Sequence, residues 1–128
     1  MILVDSCVIF AHTRGKDPRL GGLFRTLPTA VRGVVRAEVL HGARDPADRA
    51  TLIALLDRFA QILTTESIWD ATGANLAMLR RAGITVPFAD VVQATITIEG
   101  AHEIWTRDAH FGMMQSVLLK LRLFKEPP

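Results

Sequence analysis

Residues 1–10 read Met-Ile-Leu-Val-Asp-Ser-Cys-Val-Ile-Phe, and the fold is decided at Ile2-Leu3-Val4-Asp5. Three consecutive branched aliphatic residues bounded by an acid form a short strand, apolar on both faces. A helix follows over about Ser6 to His12 and closes at the turn-prone Arg14-Gly15-Lys16-Asp17-Pro18. The same switch from a short apolar run to a helical period then repeats along the chain. A second helix covers about Arg19 to Arg25, and Ala30–Arg32 forms a second strand ahead of a helix over about Val34 to Ala43.

Asp45-Pro46 makes an N-cap and first-turn pair, opening a helix through Phe59. Gln61–Leu63 is the third strand. Thr65 or Ser67 caps a helix to about Arg81, and Gly83 ends it. Pro87 starts a helix that runs to about Ile98 and stops at Gly100. Glu103–Trp105 is a fourth strand and Leu121–Phe124 a fifth. Strands separated by helices pair in parallel through right-handed crossovers. The predicted fold is thus α/β, a three-layer sandwich with a sheet of about five parallel strands and helices on both faces. There are no repeats or linkers, and 1–128 reads as a single domain.

Composition narrows the functional classes. The one cysteine, Cys7, cannot form an internal disulfide, and no Cys/His cluster has zinc-ligand spacing. No basic leader precedes an apolar stretch, and no apolar run approaches the ~20 residues of a membrane span. The expected location is the cytoplasm, with no membrane partner. The formal charge is +2, with 15 basic and 13 acidic residues. Setting aside Asp5, Glu38, Asp90 and Asp108 leaves 9 acidic residues against those 15, a basic body that suits a polyanion. Arg so outnumbers Lys that genomic base composition is an alternative explanation.

In open parallel sheets, sites lie at the carboxyl ends of strands where the strand order reverses. Asp5 ends the first strand, Asp108 follows the fourth by two residues, and Asp90 lies in the first turn of the helix before it. Each acid also has a plain structural explanation. Glu38 shares a helix side with Val34, Val35 and Gly42, which suits a paired carboxylate or one whose stem packs on the core. Asp90 shares its side with Gln93, Ala94 and Thr97, away from Phe88, Val91, Val92, Thr95 and Ile98. There it suits the positive helix end. Asp108 can cap a short helix over Ala109-His110-Phe111, and Asp5 has the weakest structural alternative. The apolar Leu52–Leu56 with Phe59 reads as core with some left for a partner surface. Trp69 and Trp105 read as core, and Arg80, Arg81, Lys120, Arg122 and Lys125 as solvated charge able to reach RNA.

Four segments resemble a known family when taken together. Ile2-Leu3-Val4-Asp5-Ser6, then Arg36-Ala37-Glu38-Val39-Leu40-His41-Gly42, then Phe88-Ala89-Asp90-Val91-Val92-Gln93-Ala94, then Trp105-Thr106-Arg107-Asp108-Ala109-His110-Phe111 stand in the order of PIN-domain ribonucleases. The chain looks most like the VapC toxins of VapBC toxin–antitoxin pairs, over essentially its whole length. The resemblance implies that Asp5, Glu38, Asp90 and Asp108 hold one or two Mg²⁺ or Mn²⁺ ions, with Asp5 and Asp90 as direct ligands. Thr106 and Ser6 would support those carboxylates. It implies an endoribonuclease leaving a 5′-phosphate, a homodimer, and a small antitoxin partner. A PIN-like domain that binds RNA or a partner without cutting, and a DNA-directed nuclease, are the alternatives. Two positions depart from the pattern: Cys7, where Ser or Asn is expected, and His110, where an acid is common.

Overall fold

A computed structural model describes all residues 1–128. The chain runs β1 (Ile2–Val4), α1 (Ser6–Thr13), α2 (Leu20–Thr26), β2 (Thr29–Arg32), α3 (Gly33–His41) and α4 (Pro46–Leu56). It continues through β3 (Ala60–Ile62), α5 (Ile68–Arg81), α6 (Phe88–Glu99), β4 (Glu103–Trp105) and α7 (Ala109–Gln115). The sheet has four strands in the order β3-β2-β1-β4, all parallel. The chain adds β2 and then β3 on one side of β1, and returns to place β4 on the other. The order therefore reverses between β1 and β4.

The pleat distributes the core to both faces. Leu3, Ala30 and Ile104 point to one side and pack with Val91, Val92, Leu79 and Phe111 of the α5, α6 and α7 layer. Ile2, Val4, Val31 and Trp105 point to the other and pack with Val8, Val35, Val39, Leu52 and Leu56 of the α1, α3 and α4 layer. Two apolar clusters on one short sheet give the three layers.

The sheet is one strand smaller than the sequence pattern suggests. Instead of a fifth strand, Leu121–Phe124 makes one parallel bridge, Ile104 to Leu123. Ile104 donates to Arg122 O at 2.9 Å and accepts from Phe124 N at 2.8 Å. A three-residue β4 offers no further pairing position on that edge. Helix α4 stops at Leu56, not Phe59, and β3 starts one residue early at Ala60. Gly83 ends α5 in the left-handed region at φ 73°, which a side chain would strain.

Other apolar assignments divide. Leu52, Leu56 and Phe59 are buried in the core, whereas Ile53 and Leu55 are half-buried and Ala54 is exposed. Trp105 is fully buried, whereas Trp69 in the first turn of α5 is 44% exposed and is not a core residue. Helix α6 is buried all round from Asp90 to Thr97, being enclosed by the sheet and by α5, α7 and α3. Its two faces therefore do not divide into apolar and solvated, and Phe88, placed on the apolar stripe by its spacing, is exposed.

The tail packs as part of the core. Leu121 is 1% exposed within the α5–α7 side cluster. Truncating it as Leu121→Ala should cost about 2–5 kcal/mol in equilibrium urea unfolding. A loss under about 0.5 kcal/mol would place the tail outside the cooperative unit.

Candidate metal centre

Asp5 sits one residue past β1 and is the N-cap of α1, with an extended backbone (φ −80°, ψ 156°). Its carboxylate, 4% exposed, accepts hydrogen bonds from four donors. Ser6 N and Gln93 Nε2 donate to Oδ1 at 2.8 and 2.9 Å, and Thr106 Oγ1 and Cys7 Sγ to Oδ2 at 2.8 and 3.3 Å. Those donors come from α1, from α6 and from the turn after β4. Thr106 also accepts from Asp108 N at 3.0 Å, so one hydroxyl links two of the acids. Ser6 acts through its main chain, with no hydrogen bond from its hydroxyl.

Asp108 is the N-cap of α7 and accepts from His110 N at 2.9 Å. His110 is the second residue of that helix, and its ring reaches across to Asp90 on α6. His110 Nδ1 is 2.9 Å from Asp90 Oδ2 and 3.1 Å from Asp108 Oδ1. Asp90, Asp108 and His110 thus offer ligand atoms that all lie within 4.8 Å of one another. Asp5 and Glu38 are outside that tight group. They are joined to it by charge, since Asp5 and Asp90 both act on Glu38, and Asp5 and Asp108 both act on Asp90.

That mutual repulsion is visible in the proton affinities. Burial, and then the neighbouring carboxylates Asp5 and Asp90, raise the Glu38 pKa above the usual range. Burial raises that of Asp90, against the lowering effect of its His110 contact. Cys7 is pushed up to about 11 by burial and by Asp5, so it stays a neutral thiol. One Glu38 oxygen, Oε1, is buried with no hydrogen-bond partner among the protein atoms. Gln93 is fully buried and spends its amide group on Asp5, leaving its own Oε1 unpartnered. A buried carboxylate oxygen short of donors, raised pKa values on Glu38 and Asp90, and an imidazole nitrogen beside Asp90 and Asp108 suit a hard or borderline divalent cation.

The turn that carries Thr106 and Asp108 is fixed from outside. Arg107 between them bonds Glu126 of the tail (2.8 Å) and Asp17 of the α1–α2 turn (2.6 Å), and Arg19 closes the cluster on Asp17 at 3.2 Å. Both acids are held below the usual carboxylate range by these guanidinium groups.

Four residues at or beside the site were not assigned a place in it from sequence. Gln93 was legible only as a neighbour of Asp90 on the helix. His110 and Cys7 were visible as departures from a pattern, without their contacts. Arg32 ends β2 and is 1% exposed. Its signal was a guanidinium at the end of an apolar strand, one strand over from Asp5.

No family model matches the chain, and no curated protein matches it. Solved structures match it in fold along its whole length. A chain of the Rickettsia felis VapBC2 complex bound to a promoter DNA fragment superposes with a TM-score of 0.84 at 15% identity, covering 99% of this chain and 100% of that one. VapBC-1 of nontypeable Haemophilus influenzae gives 0.80 at 15% identity, covering 97% of each chain. Mycobacterium tuberculosis VapC20, described as a Sarcin-Ricin loop cleaving toxin, gives 0.68 at 14% identity over 88% of this chain and 94% of that one. The α/β fold is that of the VapC-type toxins.

The raised pKa of Asp90 sets a testable sign. An acid whose folded pKa is raised destabilises the native state once ionised, and that cost vanishes as pH falls through the raised value. In chelator at pH 7.5, Asp90→Asn should melt above wild type by a few degrees, ~4 °C for about 1 kcal/mol. That advantage should shrink steadily toward pH 4.5. Melting curves of both proteins across that range provide the check, and taking the difference cancels the opposite contribution of His102, whose pKa is lowered.

Proposed function

We propose that the chain is a metal-dependent endoribonuclease and the toxin of a toxin–antitoxin pair, built as a single PIN domain. The observation that carries this reading is the position of the acidic cluster. Asp5 and Asp108 leave adjacent parallel strands on either side of the point where the strand order reverses, the place where such sheets bind ligands. The fold likeness to VapC20 and to chains of VapBC complexes supports it.

On this reading Asp5, Glu38, Asp90 and Asp108 hold Mg²⁺ or Mn²⁺, with His110 adding a nitrogen donor beside Asp90 and Asp108. The bound cation would supply a water of lowered pKa and neutralise charge on the leaving oxygen of a phosphodiester. The chain's own residues prepare that chemistry. Thr106, Gln93, Cys7 and the Ser6 amide fix the orientation of the Asp5 carboxylate. The Arg107 cluster holds the turn that carries Asp108. Neither Cys7, kept neutral by burial, nor His110, engaged by two carboxylates, is free to act as a nucleophile.

Purified protein incubated with total RNA or DNA should cut RNA in Mn²⁺ or Mg²⁺ and neither substrate in chelator. Asp5→Asn should lower the rate by more than the ~10–100-fold that loss of one supporting hydrogen bond costs. RNA cutting at the wild-type rate by Asp5→Asn would overturn the site. Preference for DNA would move the chain to the DNA-directed alternative.

The proposed partners are a second copy of the chain and a small antitoxin. Expression alone should arrest growth, and co-expression with a small protein encoded beside it should relieve the arrest. Harmless expression of a protein that is monomeric at micromolar concentration would leave a solitary nuclease.

A further inference from the structure

Arg32 is the most anomalous side chain in the molecule. It is 1% exposed and among the largest fully buried side chains, yet Nε, Nη1 and Nη2 all lack a hydrogen-bond partner among the protein atoms. No carboxylate lies within salt-bridge distance of it. A buried guanidinium with no partner is strongly unfavourable unless its surroundings supply opposite charge.

The register says where that charge is. Strands β1 and β2 pair Ile2 with Thr29 and Leu3 with Ala30. Continuing that register by two residues, past the end of β1, brings Arg32 opposite Asp5. Leu3 and Ala30 point into the same core cluster, so by the pleat Asp5 and Arg32 point to that same side, toward α6. The Gln93–Asp5 hydrogen bond shows that Asp5 does face α6. Arg32 is also the N-cap residue of α3, the helix that carries Glu38. The buried cation therefore lies under the acidic cluster, beside two of its members, without pairing to either.

Burial lowers the Arg32 pKa to about 10, with Asp5 and then Glu38 acting to raise it. The group therefore carries its charge at neutral pH.

We propose that Arg32 is a built-in counter-ion of the acidic site, a fixed positive charge that offsets carboxylate repulsion in the metal-free protein and weakens the site's affinity for a divalent cation. This rests on the metal-site reading above. A bound cation cancels part of the negative field at Arg32 and repels the guanidinium directly, so the two oppose each other. By linkage, what Arg32 gives the empty site is withdrawn when the site fills.

The test compares Arg32→Met, Arg32→Gln and Arg32→Lys with the wild type, titrated with Mn²⁺ in a calorimeter. The two neutral variants should bind Mn²⁺ about tenfold or more tightly than wild type. Arg32→Lys should stay close to wild type. A residue needed only for packing would produce the opposite, weaker binding on substitution. Urea unfolding in chelator gives an independent reading from a double-mutant cycle with Glu38→Gln. Arg32→Met should destabilise the metal-free protein less when Glu38 has lost its charge, whereas a packing role gives additive effects. If Arg32→Met does not fold, Arg32→Gln and Arg32→Lys carry the comparison. Mn²⁺ binding by wild type that neither neutral variant strengthens overturns this inference alone. No Mn²⁺ binding by wild type overturns the functional reading, and this inference with it.

Discussion

The carboxylate of Asp5 is the point at which the two halves of the molecule meet. Its four donors come from the first helix, from the buried helix α6 and from the turn after β4. These segments are as much as 101 residues apart in sequence. Hydrogen bonds to an ionised acceptor are about twice as strong as neutral ones, and here they fix strand ends that are only three residues long. Strands this short define a register poorly by themselves. Much of what aligns β1 with β4 is the charge at the end of β1 and the hydroxyl that answers it from Thr106.

The same concentration of charge makes the site unfavourable for folding when empty. Burial and mutual repulsion raise the proton affinities of Glu38 and Asp90. Such an arrangement is retained when something outside the fold's own stability requires it. The Arg107–Asp17–Glu126–Arg19 cluster is the contrasting case. Its charges are exposed or half-exposed and alternate in sign, and each acid is held below its usual pKa. One network satisfies itself, and the other does not.

How far the sequence could be read follows from which interactions are local. The β1 and β4 bounds, the Asp45 N-cap, the Gly83 stop and the placement of Asp5, Asp90 and Asp108 rest on neighbours within a turn or two. All were legible in the sequence. The fifth strand failed because pairing depends on the partner edge, and a three-residue β4 has room for one bridge. The faces of α6 failed because a helix enclosed on every side has no solvated stripe to read. Arg32 was read as the end of a strand, since nothing local distinguishes a buried arginine from an exposed one. Only the register with β1 reveals its neighbour.

One departure from the family pattern and one buried arginine bear on the site's charge in the same direction. His110 replaces an acid at a position where one is common, and Arg32 adds a buried cation beside Asp5 and Glu38. Arg32 makes the pocket less anionic than four carboxylates alone, and His110 makes it less anionic than an acid at that position would. A less anionic pocket binds a hard cation less tightly through charge, and leaves more of the selection to ligand type. On the proposed reading, His110 stands as one nitrogen donor among oxygen donors, held in place by its contacts with Asp90 and Asp108.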